Sequence, residues 1–240
     1  MTRADFANHV VLVTGGTGAL GRAVCLAFAE QGAKVVATYR SAQEFQSLET
    51  TGAGAGVKIE GAQVDVTDET AVKGLVSQLV QNHGKVDVAV NAVGAYAGGA
   101  KVWEHGADVL DRMLSLNLRS LFGVARAVIP SMLERQQGAI VNVAAKSGLD
   151  HPSGSAAYAA SKAAALSLAG TLASELKGTG VRVNSVLPNV IDTPANRRDM
   201  GKPTGAPGWV APEEIARVIL FLSSPEALSV QGAAIGVYGS

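Results

Sequence analysis

The chain has 240 residues, enough for one large domain, and 48% of them are hydrophobic against 17% charged, so an ample core can be buried. Lys+Arg is 20 and Asp+Glu is 20; the zero net charge argues against a protein built mainly to grip nucleic acid or an anionic membrane. One cysteine, Cys25, rules out an intrachain disulfide and a cysteine-built zinc cluster, and fits a reducing compartment.

The opening Met1-Thr-Arg-Ala-Asp-Phe6 has no apolar h-region, so no signal peptide is expected. No apolar run of about 18 residues predicts a membrane span, and a cytoplasmic protein is the expectation. Val10–Thr14 reads as a strand and Leu20–Gln31 as a helix, with Leu20, Val24 and Phe28 at helical spacing. Strands follow at Lys34–Tyr39 and Val57–Val64, a helix at Thr70–Asn82, and a fourth strand at Val86–Asn91. Asp108–Arg135 reads as one long helical stretch in which Pro130 caps or kinks the last turns. Ala139–Ala144 is a strand, Ala156–Lys177 an Ala-rich helix ended by Gly178, and Val181–Leu187 a strand. Pro212–Leu222 is a helix with Pro at its start and two Glu in its first turn, and Ala233–Tyr238 is a last strand.

The strands are near-continuous apolar runs, as expected where helices cover both faces of a parallel sheet. Repeated strand–helix units then predict an α/β, doubly wound parallel sheet of the Rossmann type, in a single domain spanning residues 1–240. From Asn189 to Val210 the pattern breaks. Three prolines, three glycines and little apolar content predict a long loop, either a substrate lid or a plain surface excursion.

Between the first strand and the first helix, Gly16, Gly18 and Gly21 spell G-x-G-x-x-G. In this context the glycines allow a tight turn and close approach of a pyrophosphate to the free N–H groups of the helix N-terminus. About 20 residues on, a carboxylate would select NAD by binding the ribose 2′-hydroxyl. The sequence there reads Val35-Val-Ala-Thr-Tyr-Arg-Ser41, with no acid before Glu44. Arg40 can pair with a 2′-phosphate instead, so NADPH is expected over NADH, with NAD a second possibility should Arg40 be a solvated surface residue.

With these residues in view, the chain resembles the classical short-chain dehydrogenases/reductases over nearly its whole length. Thr14–Gly21 is similar to the family's cofactor turn, and Asp65-Val66 to the pair that contacts adenine. Asn91-Ala92-Val93-Gly94 resembles the Asn-Asn-Ala-Gly segment, and Asn117 the helix asparagine of the catalytic tetrad. Tyr158-Ala-Ala-Ser-Lys162 is the Tyr-x-x-x-Lys motif, and Val183–Pro188 followed by Thr193 resembles the segment closing over the nicotinamide. The resemblance implies cofactor contacts at Gly15, Thr17, Ala19, Leu20, Gly21, Arg40, Ser41, Asp65, Val66, Asn91, Ala92, Val93, Gly94, Tyr158, Lys162, Pro188, Ile191 and Thr193. It implies hydride transfer to a small carbonyl substrate, a homodimer or homotetramer, and catalysis by Tyr158, Lys162 and Asn117. Positions i and i+4 share one helix face, so Tyr158 and Lys162 can act together. The phenol donates a proton to the nascent alkoxide, and a nearby ammonium lowers its pKa. In the family Lys162 would hold the nicotinamide ribose and Asn117 would anchor a relay water.

The departures matter. The family's serine falls thirteen residues before the tyrosine, where this chain has Ala145. Losing one such oxyanion donor can cost about 2.7–4 kcal/mol. Ser147 substitutes if the loop bends; otherwise the substrate needs no such donor. Ala19 replaces a glycine of the turn, Ala92 the second Asn, and Asn189 the glycine after Pro188. Several departures resemble the quinonoid dihydropteridine reductase branch, which works without the serine, although that branch favours NADH through an acid that this chain lacks. Tyr96, Trp103 and Trp209 are candidates for the pocket wall. Arg197 and Arg198 would meet an anionic substrate, or are simply solvated. His9, His83, His105 and His151 share no metal-ligand spacing, and no metal is expected. Two other classes stay open: a catalytically silent NADP-sensing protein, suggested by Ala145, and an inactive subunit that stabilises an active partner.

Overall fold

The computed structural model describes residues 6–239. In chain order the strands are β1 (Val10–Thr14), β2 (Lys34–Tyr39), β3 (Ile59–Gln63), β4 (Val88–Asn91), β5 (Gly138–Val143), β6 (Val181–Pro188), β7 (Val190–Ile191), β8 (Trp209–Val210) and β9 (Ala234–Val237). The helices are α1 (Ala19–Glu30), α2 (Ala42–Gly54), α3 (Glu69–His83), α4 (Ala107–Leu114), α5 (Ser120–Glu134), α6 (Ser147–Asp150), α7 (Ala156–Glu175), α8 (Pro194–Met200) and α9 (Pro212–Ser223). Seven strands form one parallel sheet in the order β3-β2-β1-β4-β5-β6-β9.

Alternate side chains of each strand serve opposite faces. Val11, Val13, Val35, Val88, Val90 and Val141 pack under α1 and α9 through Val24, Phe28, Ile215, Ile219 and Leu222. Leu12, Val36, Ala89, Ile140 and Val183 pack under α3, α5 and α7 through Leu75, Val76, Val124, Val128, Ala165 and Ala169. That double cover is why β1, β4, β5 and β6 are buried along their whole length. β1 pairs with β2 on one side and β4 on the other, so the crossovers diverge and the strand tips part at a topological switch point.

Local signals set the ends of the helices. Asp68 caps α3 by accepting from the N–H groups of Thr70 (2.8 Å) and Ala71 (3.1 Å), and Gly84 ends it at φ +78°. Pro212 opens α9, and the Glu214 carboxylate accepts from the Ala211 N–H at 3.0 Å.

Three stretches differ from the sequence expectation. α2 was not expected: only Leu48 and Gly52 of its thirteen residues are buried, with Phe45 packed beside them, so the apolar stripe is too short to read. The stretch expected as one long helix breaks at a π-helical turn, Ser115–Arg119, between α4 and α5. Pro130 causes no break; it sits within α5 on the solvent side, where the carbonyl it leaves unpaired can be hydrated. The segment expected as a loop, 189–210, contains α8 and a two-stranded parallel ribbon of β7 and β8. Thr193 caps α8 through Oγ1, which accepts from the Asn196 N–H at 3.1 Å, and Pro194 opens it.

Candidate active site

The chain leaves β1 into a turn whose glycines are demanded by contact. Gly15 has φ +70°, and a Cβ there would stand 3.0 Å from Val93 Cγ2 and 3.1 Å from the Ala92 carbonyl. A Cβ on Gly16 would come within 2.6 Å of the Ala37 Cβ in β2, and one on Gly21 within 2.0 Å of the Gly15 oxygen. Gly18 meets nothing closer than 3.4 Å. Of the literal G-x-G-x-x-G, Gly16 and Gly21 are therefore sterically required and Gly18 is not; Gly15, outside that pattern, is. Thr38 fixes the turn, its hydroxyl accepting from the Gly15 N–H at 3.1 Å and its carbonyl from the Gly16 N–H at 3.2 Å.

The start of α1 thus faces a cleft at the tips of β1, β2 and β4. Of the expected cofactor contacts, Gly15, Thr17, Arg40, Asp65, Val66, Ala92, Val93 and Gly94 line it. Gly18, Thr38, Tyr39, Glu44, Val64, Ala95 and Leu116 line it too. Other expected contacts lie off its wall. Ala19 is exposed at the start of α1, Leu20 is buried in the core beneath the turn, and Gly21 is wedged against Gly15. Ser41 caps α2, and Asn91 is buried, accepting from Thr14 Oγ1 (2.9 Å) and donating to Asn142 Oδ1 (3.3 Å).

Both carboxylates on the cleft wall accept hydrogen bonds from threonines. The N–H and hydroxyl of Thr67 donate to Asp65 at 2.9 and 2.7 Å and hold its carboxyl below the usual range, with Arg40 adding to the effect. Glu44 accepts from the Thr17 hydroxyl at 3.1 Å, and Arg22 spans the two segments by donating to the Thr17 and Glu44 carbonyls. Glu44 was passed over as too late in the sequence; the unforeseen α2 brings it back to the cleft.

At the far end of the cleft, α7 presents Tyr158 and Lys162. Lys162 is buried; its ammonium donates to the Val143 carbonyl at 2.9 Å and lies against Gly94, where a Cβ would come within 3.1 Å of it. Burial lowers its pKa to about 8. Tyr158 moves the opposite way from the expectation of an ammonium-lowered phenol: burial, with help from the neighbouring Tyr96 phenol, pushes it up to about 12. Asn117 lies in the π-helical turn. Its Oδ1 accepts from the Ala95 N–H, and its Nδ2 donates to the Ala95 carbonyl and to Ser161 Oγ, at 3.0, 3.0 and 2.9 Å. Ser161 donates in turn to the Tyr158 carbonyl at 2.7 Å. Both amide hydrogens of Asn117 are engaged, so its side chain clamps the loop after β4 to α7.

The residues fit a dinucleotide. The Lys162 ammonium, buried with the Val143 carbonyl as its one protein acceptor, has donors left for a ribose, and Gly18, with nothing nearer than 3.4 Å to a Cβ there, leaves the start of α1 open to a pyrophosphate. On the substrate side Ala145 is buried, and Ser147 opens α6 half-buried. Gly148 packs α6 tightly on α7, where a Cβ would stand 3.1 Å from the Lys162 carbonyl carbon. Tyr96 meets the Tyr158 ring edge to face at 5.0 Å. Trp209 is half-buried in β8, whereas Trp103 is 78% exposed. The Pro188 carbonyl accepts from the Lys146 N–H at 2.9 Å, and Ile191 and Thr193 lead into α8. An ion pair of Arg197 with Asp192 at 3.1 Å, and Asn189 Nδ2 donating to the Gly208 carbonyl at 2.9 Å, tie that segment together. Among the described residues no group of three His, Cys, Asp or Glu side chains could hold a metal, and no helix is long and apolar enough to cross a membrane.

This fold and this site define a nicotinamide-dependent oxidoreductase of the hydroxyl–carbonyl class. The family model for short chain dehydrogenases matches residues 9–202, and the chain belongs to that family. It is 36% identical over 241 residues to the 3-oxoacyl-[acyl-carrier-protein] reductase FabG of Thermotoga maritima, covering 97% of each chain. It is 31% identical over 245 residues to the 3beta-hydroxysteroid dehydrogenase 2 of Eggerthella lenta, covering 97% of this chain and 94% of that one. A crystal structure of NAD+-bound xylitol dehydrogenase superposes with a TM-score of 0.90 at 28% identity, over 98% of this chain and 99% of that one.

Proposed function

We propose that the protein is an NADPH-dependent reductase of a carbonyl or quinonoid bond in a small organic substrate, with Tyr158 as proton donor. The observation that carries this is the pairing, on α7 at the end of the cleft, of a buried Lys162 ammonium with the Tyr158 phenol one turn earlier. When bound, the reduced nicotinamide supplies a hydride to the substrate carbon. Lys162 holds the ribose, Gly15, Thr17 and the start of α1 hold the pyrophosphate, and Tyr158 gives its proton to the oxygen that gathers charge. Asn117 positions Ala95 and, through Ser161, the turn of α7 that carries Tyr158. Arg40 on the cleft wall, with Glu44 drawn aside to Thr17, supports recognition of a 2′-phosphate. Residues 189–210 act as the lid, and the protein works as a homodimer or homotetramer in the cytoplasm.

Purified protein mixed with NADPH and a panel of ketones, quinones and quinonoid dihydropterin oxidises the cofactor, followed by absorbance. Tyr158→Phe abolishes turnover by 10²-fold or more while NADPH still binds, about the contribution of a positioned general acid. Tight NADPH binding with no turnover of any acceptor would sink this reading in favour of a cofactor sensor. Ala145 favours a second reading within the same chemistry: a quinonoid ring, whose reduction builds little charge on one oxygen, needs no serine there. Preference for quinonoid dihydropterin over every ketone would single it out.

A further inference from the structure

A carbonyl oxygen under reduction gathers negative charge, and a second preorganised donor beside the proton donor lowers that barrier. Ala145 brings a buried methyl group to the position where a serine would supply the donor. Another phenol ring stands against Tyr158. The ring of Tyr96 meets the ring of Tyr158 edge to face, with centroids 5.0 Å apart and planes at 74°. Tyr96 is nonetheless 66% exposed, so it rests on Tyr158 and stays open to an incoming molecule.

The segment that carries it is held at three points. Asn117 clamps Ala95 by both its N–H and its carbonyl. The Tyr96 hydroxyl lies over Gly98, where a Cβ would come within 2.0 Å of it. The Gly99 N–H donates to the Gly154 carbonyl at 2.8 Å, and the Lys101 ammonium donates to Ser153 Oγ at 2.7 Å, fastening the far end to the loop that leads into α7. A phenol loses little conformational freedom on binding, and this one is already placed.

We propose that Tyr96 is a second catalytic phenol, whose hydroxyl donates a hydrogen bond to the substrate's carbonyl oxygen alongside Tyr158. This rests on the reductase reading above. In the step the substrate carbon gains the hydride, its oxygen gains the proton of Tyr158, and Tyr96 keeps its own. The Tyr96 phenol also helps to keep Tyr158 protonated.

The test uses full-length protein carrying Tyr96→Phe, Ala145→Ser, or both, with NADPH and an acceptor that the wild type reduces. Tyr96→Phe keeps the ring contact and removes only the hydroxyl. It lowers kcat about 10²-fold with NADPH affinity unchanged, the size of one lost oxyanion donor. Ala145→Ser restores most of that loss in the Tyr96→Phe background and adds much less to the wild type, because the two hydroxyls serve one oxygen. Wild-type turnover by Tyr96→Phe, or an equal effect of Ala145→Ser in both backgrounds, overturns the proposal and leaves the reductase reading standing. A wild type that oxidises NADPH with none of the acceptors offered removes the reductase reading itself.

Discussion

Lys162→Met should make the cofactor-free protein more stable while destroying its function. The ammonium is fully enclosed, and burial moves its pKa from 10.5 to about 8. At about 1.4 kcal/mol per unit, keeping the proton on at pH 7 costs the fold roughly 3 kcal/mol. Methionine fills the channel along α7 with an uncharged chain of similar length, but leaves the Val143 carbonyl without its donor, which costs about 1–2 kcal/mol. The balance is a gain of about 1–2 kcal/mol, or several degrees in Tm for a chain of this size. The sign with pH follows from the lowered pKa. The unfolded chain binds the proton more tightly, so the wild-type penalty is complete below pH 8 and fades as pH rises towards 10.5. Thermal melts of both proteins without cofactor, at pH 7 and pH 10, check this. The variant's advantage at pH 7 should vanish or reverse at pH 10. A variant that melts below the wild type at pH 7, or a difference that ignores pH, refutes the reasoning.

Other outcomes follow from the same geometry. The kcat/KM for reduction should fall as pH rises past about 8, because Lys162 loses its charge there while Tyr158 keeps its proton until about 12; a profile flat to pH 10 would contradict the pairing. Arg40→Ala should weaken NADPH about 10-fold or more and leave NADH nearly unchanged, measured by fluorescence titration at two salt concentrations. Gly21→Ala should cost several kcal/mol of stability or prevent folding, since its Cβ would collide with the Gly15 carbonyl, whereas Gly18→Ala should stay within about 0.5 kcal/mol; equal denaturation midpoints for the two would disprove the steric account of the turn.

What could be read from the sequence was what depends on local pattern. Val10–Thr14 and Lys34–Tyr39 are strands over the very residues expected, because a β-branched run covered on both faces has no other use. The glycine turn and the Tyr158–Lys162 spacing were legible for the same reason: each is set by steric or periodic rules within a few residues. The unread parts depend on partners distant in the chain. α2 covers the sheet edge with only Phe45 and Leu48, too short a stripe to read, though the Ser41 cap and Glu44 in its first turn were signals for its start. That helix carries Glu44 back to Thr17, a contact across 27 residues. Asn117 could be named from resemblance, but its engagement with Ala95 and Ser161 follows only from where α4, α5 and α7 meet. α8 was hidden by prolines and glycines that here begin and end a short helix instead of excluding one: Pro194 at its first position and Gly201 in the left-handed region just past its end.

The π-helical turn at Ser115–Arg119 also governs tolerance to change in chain length. A wide turn of this kind holds one residue more than an α turn, and each residue advances a helix by about 100°. Deleting one residue here would let the ladder run straight through, yet would swing α4 by more than a quarter-turn about its axis and pull Met113 out of its buried seat. A deletion of equal size in the exposed tail of α2 would shift nothing that the cleft rests on. The 107–134 stretch is therefore two helical phases joined by a fixed offset, and the loss of a residue there is felt along the whole of α4.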